Sequence, residues 1–237
     1  MVFIGTAGWS ISRPFADRFP SDGSSLARYS AVFNGVEVNS SFYRRHKPDT
    51  WQRWADSVPP AFRFSVKVPK HITHELRLAD ARSALLEFLQ DVARLGEKLG
   101  PVLLQLPPNL AFNVETVTSF LNDLRGVFEG QVVIEPRHQS WASPEVSSLL
   151  SAYTVSRVIA DPAPVSGAEQ EESDFSYLRL HGSPRIYYSE YQPDELRKYA
   201  ALLSKARADS WCIFDNTASG AALSNALEIK DLMGTLP

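Results

Sequence analysis

A single cysteine, Cys212, leaves this 237-residue chain without a partner for an intramolecular disulfide. That fits a reducing compartment and means the fold is held by its core, not by staples. Nowhere does an apolar run approach the roughly 18 residues of a membrane span. The opening Met1-Val2-Phe3-Ile4-Gly5 has neither the basic start nor the apolar stretch of a secretory signal. A cytoplasmic protein with no membrane partner is therefore expected. Positive charge is not in excess, the formal net charge being -3, so duplex nucleic acid is not expected as a partner. A Gly-x-Gly-x-x-Gly turn after the first strand, a P-loop, a Cys-x-x-Cys pair and a Ser-His-Asp arrangement are all missing. Their absence removes the usual signatures of dinucleotide, triphosphate, thiol-redox and serine-nucleophile chemistry.

What the chain does contain is alternation. Eight short runs rich in Val, Ile, Leu, Phe or Tyr lie at residues 3–7, 36–40, 62–68, 102–106, 132–135, 155–160, 175–180 and 211–215. Each closes on turn or polar residues, as strands do. Helical spacing of apolar residues fills 24–33, 50–57, 79–99, 114–128, 144–152, 193–206 and 221–233. Ser143 followed by Pro144 reads as an N-cap and first helical position. The segment 162–174 holds Pro, Gly and Glu169-Gln170-Glu171-Glu172, with too little apolar content for a packing helix, and is expected to be a loop. Strand and helix in alternation predict a parallel sheet. Eight strands predict one (β/α)8 TIM-like barrel domain over 1–237, with the crossover between strands six and seven reduced to that loop. The length is close to the ~250 residues typical of such barrels.

Successive strand side chains face opposite sides. All-apolar sides should pack on helices and mixed sides should point inward. This rule sends Glu37 and Asn39, Arg63 and Lys67, Glu135 and Arg137, Arg157 and Asp161, and Arg179 and His181 into the interior. Five cations (Arg63, Lys67, Arg137, Arg157, Arg179) then meet three carboxylates (Glu37, Glu135, Asp161). Charges taken from water need partners, so the surplus predicts an anionic ligand such as phosphate or carboxylate.

Several stretches read as one known set: Ile4-Gly5-Thr6-Ala7-Gly8-Trp9, VEVNSSFYR at 36–44, FRFSVKVPK at 62–70 with Ile72-Thr73-His74, LGPVLLQLPP at 99–108, EPRHQSW at 135–141, Leu178-Arg179-Leu180-His181-Gly182 and Phe214-Asp215-Asn216-Thr217. Together they resemble the YecE-like family, catalogued as domain of unknown function seventy-two. The resemblance covers nearly the whole chain and implies a TIM-like barrel, but no catalytic residue. Two positions depart from the family pattern. Pro136 stands where the family usually has Phe, and Asp215 where it often has Asn, which adds a carboxylate near the mouth.

Barrel active sites sit at the C-terminal ends of the strands, and the candidates are chosen there. Glu37 and Glu135 are acid/base candidates. Lys67 is a charge clamp or a Schiff-base amine, and His138 and His181 are proton carriers. Arg137 and Arg179 are clamps for an anion. Asn39, Tyr43, Gln105, Trp141, Asp161 and Asn216 complete the substrate contacts. Trp9, Tyr187, Tyr188 and Tyr191 join Tyr43 and Trp141 as rings for stacking. The turn at 216–222 is a phosphate-cradle candidate. The expected activity is acid/base hydrolysis or isomerisation of a small anionic or sugar-like molecule, with no cofactor. Two alternatives are a metal-dependent hydrolase or isomerase of the endonuclease-like kind, using His138, His181, Glu135 and Asp161 as ligands, and a non-catalytic module binding a ligand or a nucleic-acid end.

Overall fold

The structure, a computed structural model, describes residues 1–166, 175–205 and 209–234. Each strand-type run forms a strand: β1 (Val2–Thr6), β2 (Gly35–Val38), β3 (Arg63–Lys67), β4 (Leu99–Gln105), β5 (Val132–Glu135), β6 (Val155–Arg157), β7 (Ile159–Asp161), β8 (Tyr177–Leu180) and β9 (Ser210–Phe214). The helices are α1 (Ser25–Ser30), α2 (Pro48–Asp56), α3 (Arg82–Val92), α4 (Val114–Arg125), α5 (Pro144–Ala152), α6 (Pro193–Ser204) and α7 (Ala221–Gly234). Every strand pairing is parallel, in two sheets ordered β2-β3-β4-β5-β6 and β1-β9-β8-β7. The architecture is α/β, and no helix among the described residues is long and apolar enough to cross a membrane.

The expected eight strands are thus nine among the described residues. The run 155–160 changes partner part-way, pairing with β5 through β6 and with β8 through β7. Val158 sits at the change and donates its N–H to Ile134 O at 2.9 Å. At the other seam β1 and β2 meet through a single bridge, Ala7 to Glu37, where Gly8 N–H reaches Glu37 O at 2.9 Å. The backbones come so close here that a Cβ on Gly5 would lie 2.1 Å from Gly35 O.

Two cores result from the alternation. One lies between strands and helices and takes Val36, Val38, Phe62, Phe64, Val66, Ile134, Leu178 and Phe214 from the strands, with Leu85 and Val92 of α3 and Leu121 of α4. The other lies on the opposite side of the strands and holds Phe3, Leu103, Val133, Val158, Tyr177, Trp211 and Ile213. Trp211 is its floor, stacked on Phe3 (4.7 Å between centroids) and Tyr177 (6.0 Å). Gly100 makes room for the indole, since a Cβ there would come within 2.6 Å of Trp211 Cζ2.

Helix boundaries follow local chemistry. Ser143 caps α5 by accepting from Val146 N–H, with Pro144 at the start. The helix expected over 79–99 is shorter. It runs over α3 and continues as a 3-10 turn containing Gly96 at φ 56°, so residues 99–101 open β4 instead. A left-handed residue cannot continue a right-handed helix, and glycine reaches that region at little steric cost. Of the loop expected at 162–174, residues 167–174, including Glu169-Gln170-Glu171-Glu172, lie outside the described residues, and so does Ala206 at the end of the helix expected over 193–206.

Gly5→Ala is expected to destabilise the protein by about 1–3 kcal/mol through forced separation of β1 from β2. Urea denaturation checks this; a midpoint equal to wild type would show that the seam is not tight.

Candidate functional site

The second core is capped by charge at the C-terminal ends of its strands. Glu37 of β2, Lys67 of β3, Glu135 of β5, Arg179 and His181 of β8 and its continuation, and Asp215 just past β9 are all buried. Arg179 is the centre. Its Nε and Nη2 donate to the two oxygens of Glu37, at 2.9 and 2.8 Å. Its Nη1 donates to Glu135 at 3.0 Å, and Nη2 lies 2.9 Å from Asp215 Oδ2. Glu37 accepts a further bond from Tyr177 OH at 3.0 Å, and that hydroxyl is 2.8 Å from Ser65 Oγ. Glu135 also accepts from Arg137 Nε and Nη2, at 3.0 and 2.8 Å. The His181 ring spans two carboxylates, with Nδ1 3.0 Å from Asp215 and Nε2 3.3 Å from Glu135.

These contacts set the protonation states. Burial pushes the Glu135 carboxyl up, but Arg179, the His181 hydrogen bond and Arg137 override it and hold the group far below the usual carboxylate range. Asp215 is lowered in the same way, with burial opposed by Arg179 and His181. For His181, burial favours the neutral ring, yet the bonds to Asp215 and Glu135 win and raise it. Arg179 is raised well above its ordinary value because its three carboxylates outweigh burial. Glu37 and Glu135 are consequently held by donors on both oxygens, an arrangement suited to fixing strands and ill suited to exchanging protons with a substrate.

Lys67 differs from every other charge in the layer. It is 5% exposed, and its Nζ lies 4.1 Å from the centre of the Phe42 ring. Among the described residues it has no hydrogen bond and no carboxylate within 4.0 Å. Burial and then Arg179 drive its pKa down to about 8, against the pull of Glu37, Asp215 and Glu135. His74, in the turn after β3, is also lowered, by burial and by the charges of Lys67 and Arg137.

The other expected residues fall in different places. Arg137 is 22% exposed and extends from Glu135 toward Tyr187 OH at 3.4 Å. Gln105 is buried at the end of β4, in register with Glu135. Asn39 follows β2 and its Oδ1 is buried, with no hydrogen-bond partner among the described residues. Tyr43 is 69% exposed. His138 does not join the layer; its ring bonds Ser140 and caps a short turn. Trp141 is fully buried, with its indole N–H on Leu110 O at 2.9 Å, and fills space instead of presenting a ring. Asn216 is buried and ties Ser189 O to Asn225 Oδ1. Tyr191 is likewise buried, bonded to Asp161 and Gly182.

Two inward assignments are corrected. On the sixth run Val158 and Ala160 face the second core while Val155 and Ile159 face the helices, so Arg157 and Asp161 turn outward. Arg157 reaches Trp141 O at 3.0 Å, and Asp161 accepts from Tyr191 OH at 2.8 Å. Both faces of that run mix polar and apolar residues, and the interior takes the smaller set. Arg63 stands at the opposite end of β3 from Lys67 and donates to Pro60 O and Phe62 O. Asp215 was noted as a family departure but not chosen as a site residue; its place two residues after Ile213 carried the signal. The charges at the strand ends are Lys67, Arg137 and Arg179 against Glu37, Glu135 and Asp215, three of each sign, with His181 raised between two of the carboxylates. The expected metal set is not assembled, and among the described residues no three His, Cys, Asp or Glu side chains are arranged to hold an ion. A groove of about 310 Å³ lies beside this layer, between the loops after β2 and β3 and α3, and shares with it the Phe42 ring.

The family model described as "Protein of unknown function DUF72" matches residues 3–236. The UPF0759 protein YecE of Escherichia coli strain K12 is 33% identical over 174 residues, which is 71% of this chain and 62% of that protein. The chain therefore matches less than two thirds of that relative's length. The UPF0759 protein YunF of Bacillus subtilis strain 168 is 22% identical, covering 98% of this chain and 95% of its own. A DUF72 family protein of Thermotoga maritima MSB8 superposes with a TM-score of 0.80 at 25% identity over 99% of both chains. One from Enterococcus faecalis V583 gives 0.81 at 21% identity, covering 100% of this chain and 97% of that one. These likenesses show a shared fold.

Removing Arg179 strands three buried carboxylates, and Arg179→Met is expected to cost about 3–5 kcal/mol in urea unfolding. A loss below 1 kcal/mol would mean the layer is open to water. His181 gives a pH signature of defined sign. The folded state binds its proton more tightly than the unfolded chain, where imidazole titrates near ~6.5. Its contribution is full below that value and fades as pH rises through the raised folded one. His181→Gln should flatten the alkaline fall in unfolding free energy; an unchanged slope would place the proton elsewhere.

Proposed function

The chain belongs to the DUF72 family of proteins of unknown function, and from its geometry we propose that it is a cytoplasmic enzyme whose strand-end layer binds a small anionic molecule at Lys67. In this reading the two sheets are halves of one (β/α)8 barrel spanning the chain. The sheet order supports it, since β1 bridges β2 at Ala7–Glu37 and β6 runs into β7 through Val158. The charged layer then occupies the mouth, where barrels carry their chemistry.

The observation that carries the reading is Lys67, 5% exposed as a residue and with no carboxylate within 4.0 Å of its ammonium among the described residues. A lone charge in such a place costs several kcal/mol, and a phosphate or carboxylate would relieve it. Arg137 reaches outward from the layer. With Glu37 and Glu135 both locked on Arg179, proton transfer falls to His181 and Lys67. Acid/base hydrolysis or isomerisation of a sugar phosphate, a sugar acid or a similar small anion suits these groups. Tyr187 and Tyr188, exposed on the loop after β8, provide rings for a sugar face.

Inorganic phosphate, small carboxylates and sugar phosphates are expected to stabilise the wild type in thermal unfolding, by about 1.4 kcal/mol at ten times Kd. Lys67→Met should be more stable than wild type without ligand, by about 1–3 kcal/mol near pH 7, and should show no anion response. A wild type indifferent to all three anions, or a variant that responds equally, overturns the assignment.

A further inference from the structure

We propose that Lys67 captures a small carbonyl-bearing anion, an oxo acid or an aldehyde phosphate, as a Schiff base. The inference rests on the anion-binding reading and names the substrate class for that site.

Three observations converge. First, among the described residues Lys67 makes no ion pair, in a layer where Arg179, Arg137 and His181 all do; a lysine serving structure there would be paired as they are. Second, its surroundings favour the free amine. It is packed over Phe42, and the charged groups that face it are Arg179 from β8, Glu37 from β2, Glu135 from β5, Asp215 past β9 and His74 from the turn after β3. Desolvation and an adjacent cation are the two conditions that activate lysine as a nucleophile. With its pKa at about 8, the neutral amine at pH 7 is on the order of a hundred times more abundant than in an ordinary lysine. Third, Arg137, 22% exposed and reaching outward from Glu135, stands in the same layer as a cation for the acidic group of the ligand.

The step balances without a redox partner. The ammonium gives up a proton to solvent, the amine lone pair attacks the carbonyl carbon to give a carbinolamine, and a proton returned from solvent lets its hydroxyl leave as water. Overall, ammonium and carbonyl become iminium and water, with no net change in protons.

The test incubates the wild-type protein with cyanoborohydride and either pyruvate or glycolaldehyde phosphate, then maps modified lysines by peptide mass spectrometry. Adduct should concentrate on Lys67, roughly tenfold or more over exposed Lys70, increase from pH 7 to 8, and lose its selectivity when the protein is unfolded in urea. Labelling with pyruvate alone assigns a carboxylate, and with the phosphate alone a phosphoryl group; either supports the proposal. No adduct at Lys67, or labelling no greater than at Lys70, overturns it. In that event a surviving thermal shift with inorganic phosphate leaves the anion site standing, and its absence removes both.

Discussion

A guanidinium enclosed between strands cannot escape its charge by losing a proton. Arg179 has no exposure, so its N–H groups must be met by carboxylates where the fold can supply them. They come from Glu37 on β2 and Glu135 on β5 in one sheet, and from Asp215 past β9 in the other. Arg179 itself is on β8. One side chain therefore ties both sheets at their C-terminal ends, on the side where Trp211 and its neighbours form the floor below. Buried ion pairs of this kind are weak sources of net stability, because desolvation offsets most of the attraction. What the arrangement supplies is geometry: a bidentate fork accepts one register of β2 against β8, and a slip of one residue would turn Glu37 to the helix side.

That constraint redistributes the chemistry. Two carboxylates at strand ends suggest an acid/base pair, but both oxygens of Glu37 and of Glu135 are taken by donors. Those bonds keep Arg179 in place, and neither side chain has an oxygen left to offer a substrate. The other shifted groups of the layer are His181, raised by its bonds to two carboxylates, and Lys67, lowered by burial and Arg179. Their shifts bring an acid with an ordinary pKa below 7 and one with an ordinary pKa above 10 toward each other, the pattern by which one site runs acid and base steps at one pH.

Much of this was legible in residue alternation, and the failures are physical. Strands with one purely apolar side declared their faces: Phe62, Phe64, Val66 and Val68 against Lys67, or Leu178 and Leu180 against Arg179. The sixth run did not, because Ser156, Val158 and Ala160 are no more polar than Val155, Arg157, Ile159 and Asp161 are apolar, and the limited interior volume decided. Alternation also reports side and not height. Arg63 and Lys67 share a face of β3, yet they lie about 13 Å apart along it, and only the second reaches the charged layer at the strand's C-terminal end. Asp215 escaped because its run has apolar residues on both sides, Cys212 and Phe214 against Trp211 and Ile213, so alternation declared no polar face there. Trp141 and Asn216 show a further limit, since a polar atom on a large or buried side chain can serve backbone carbonyls as readily as a ligand.

Lys67 remains the one charge that this architecture does not need. The Phe42 ring offers it a cation–π contact, about 0.5–2 kcal/mol in comparable settings, against a desolvation cost of several kcal/mol for an ion. The three carboxylates pull on it from a distance, but their lone pairs are spent on Arg179, Arg137, Tyr177 and His181. A methionine at this position would fill the same space without penalty, and selection for stability alone would favour it. Local disagreement of this kind, in a fold whose other levels agree, is where function is expected to reside. The ion-pair layer beneath completes the logic. Its carboxylates are all engaged by Arg179, Arg137, Tyr177 and His181, and among the described residues none of them comes within 4.0 Å of Lys67, whose position is fixed by the strands on either side.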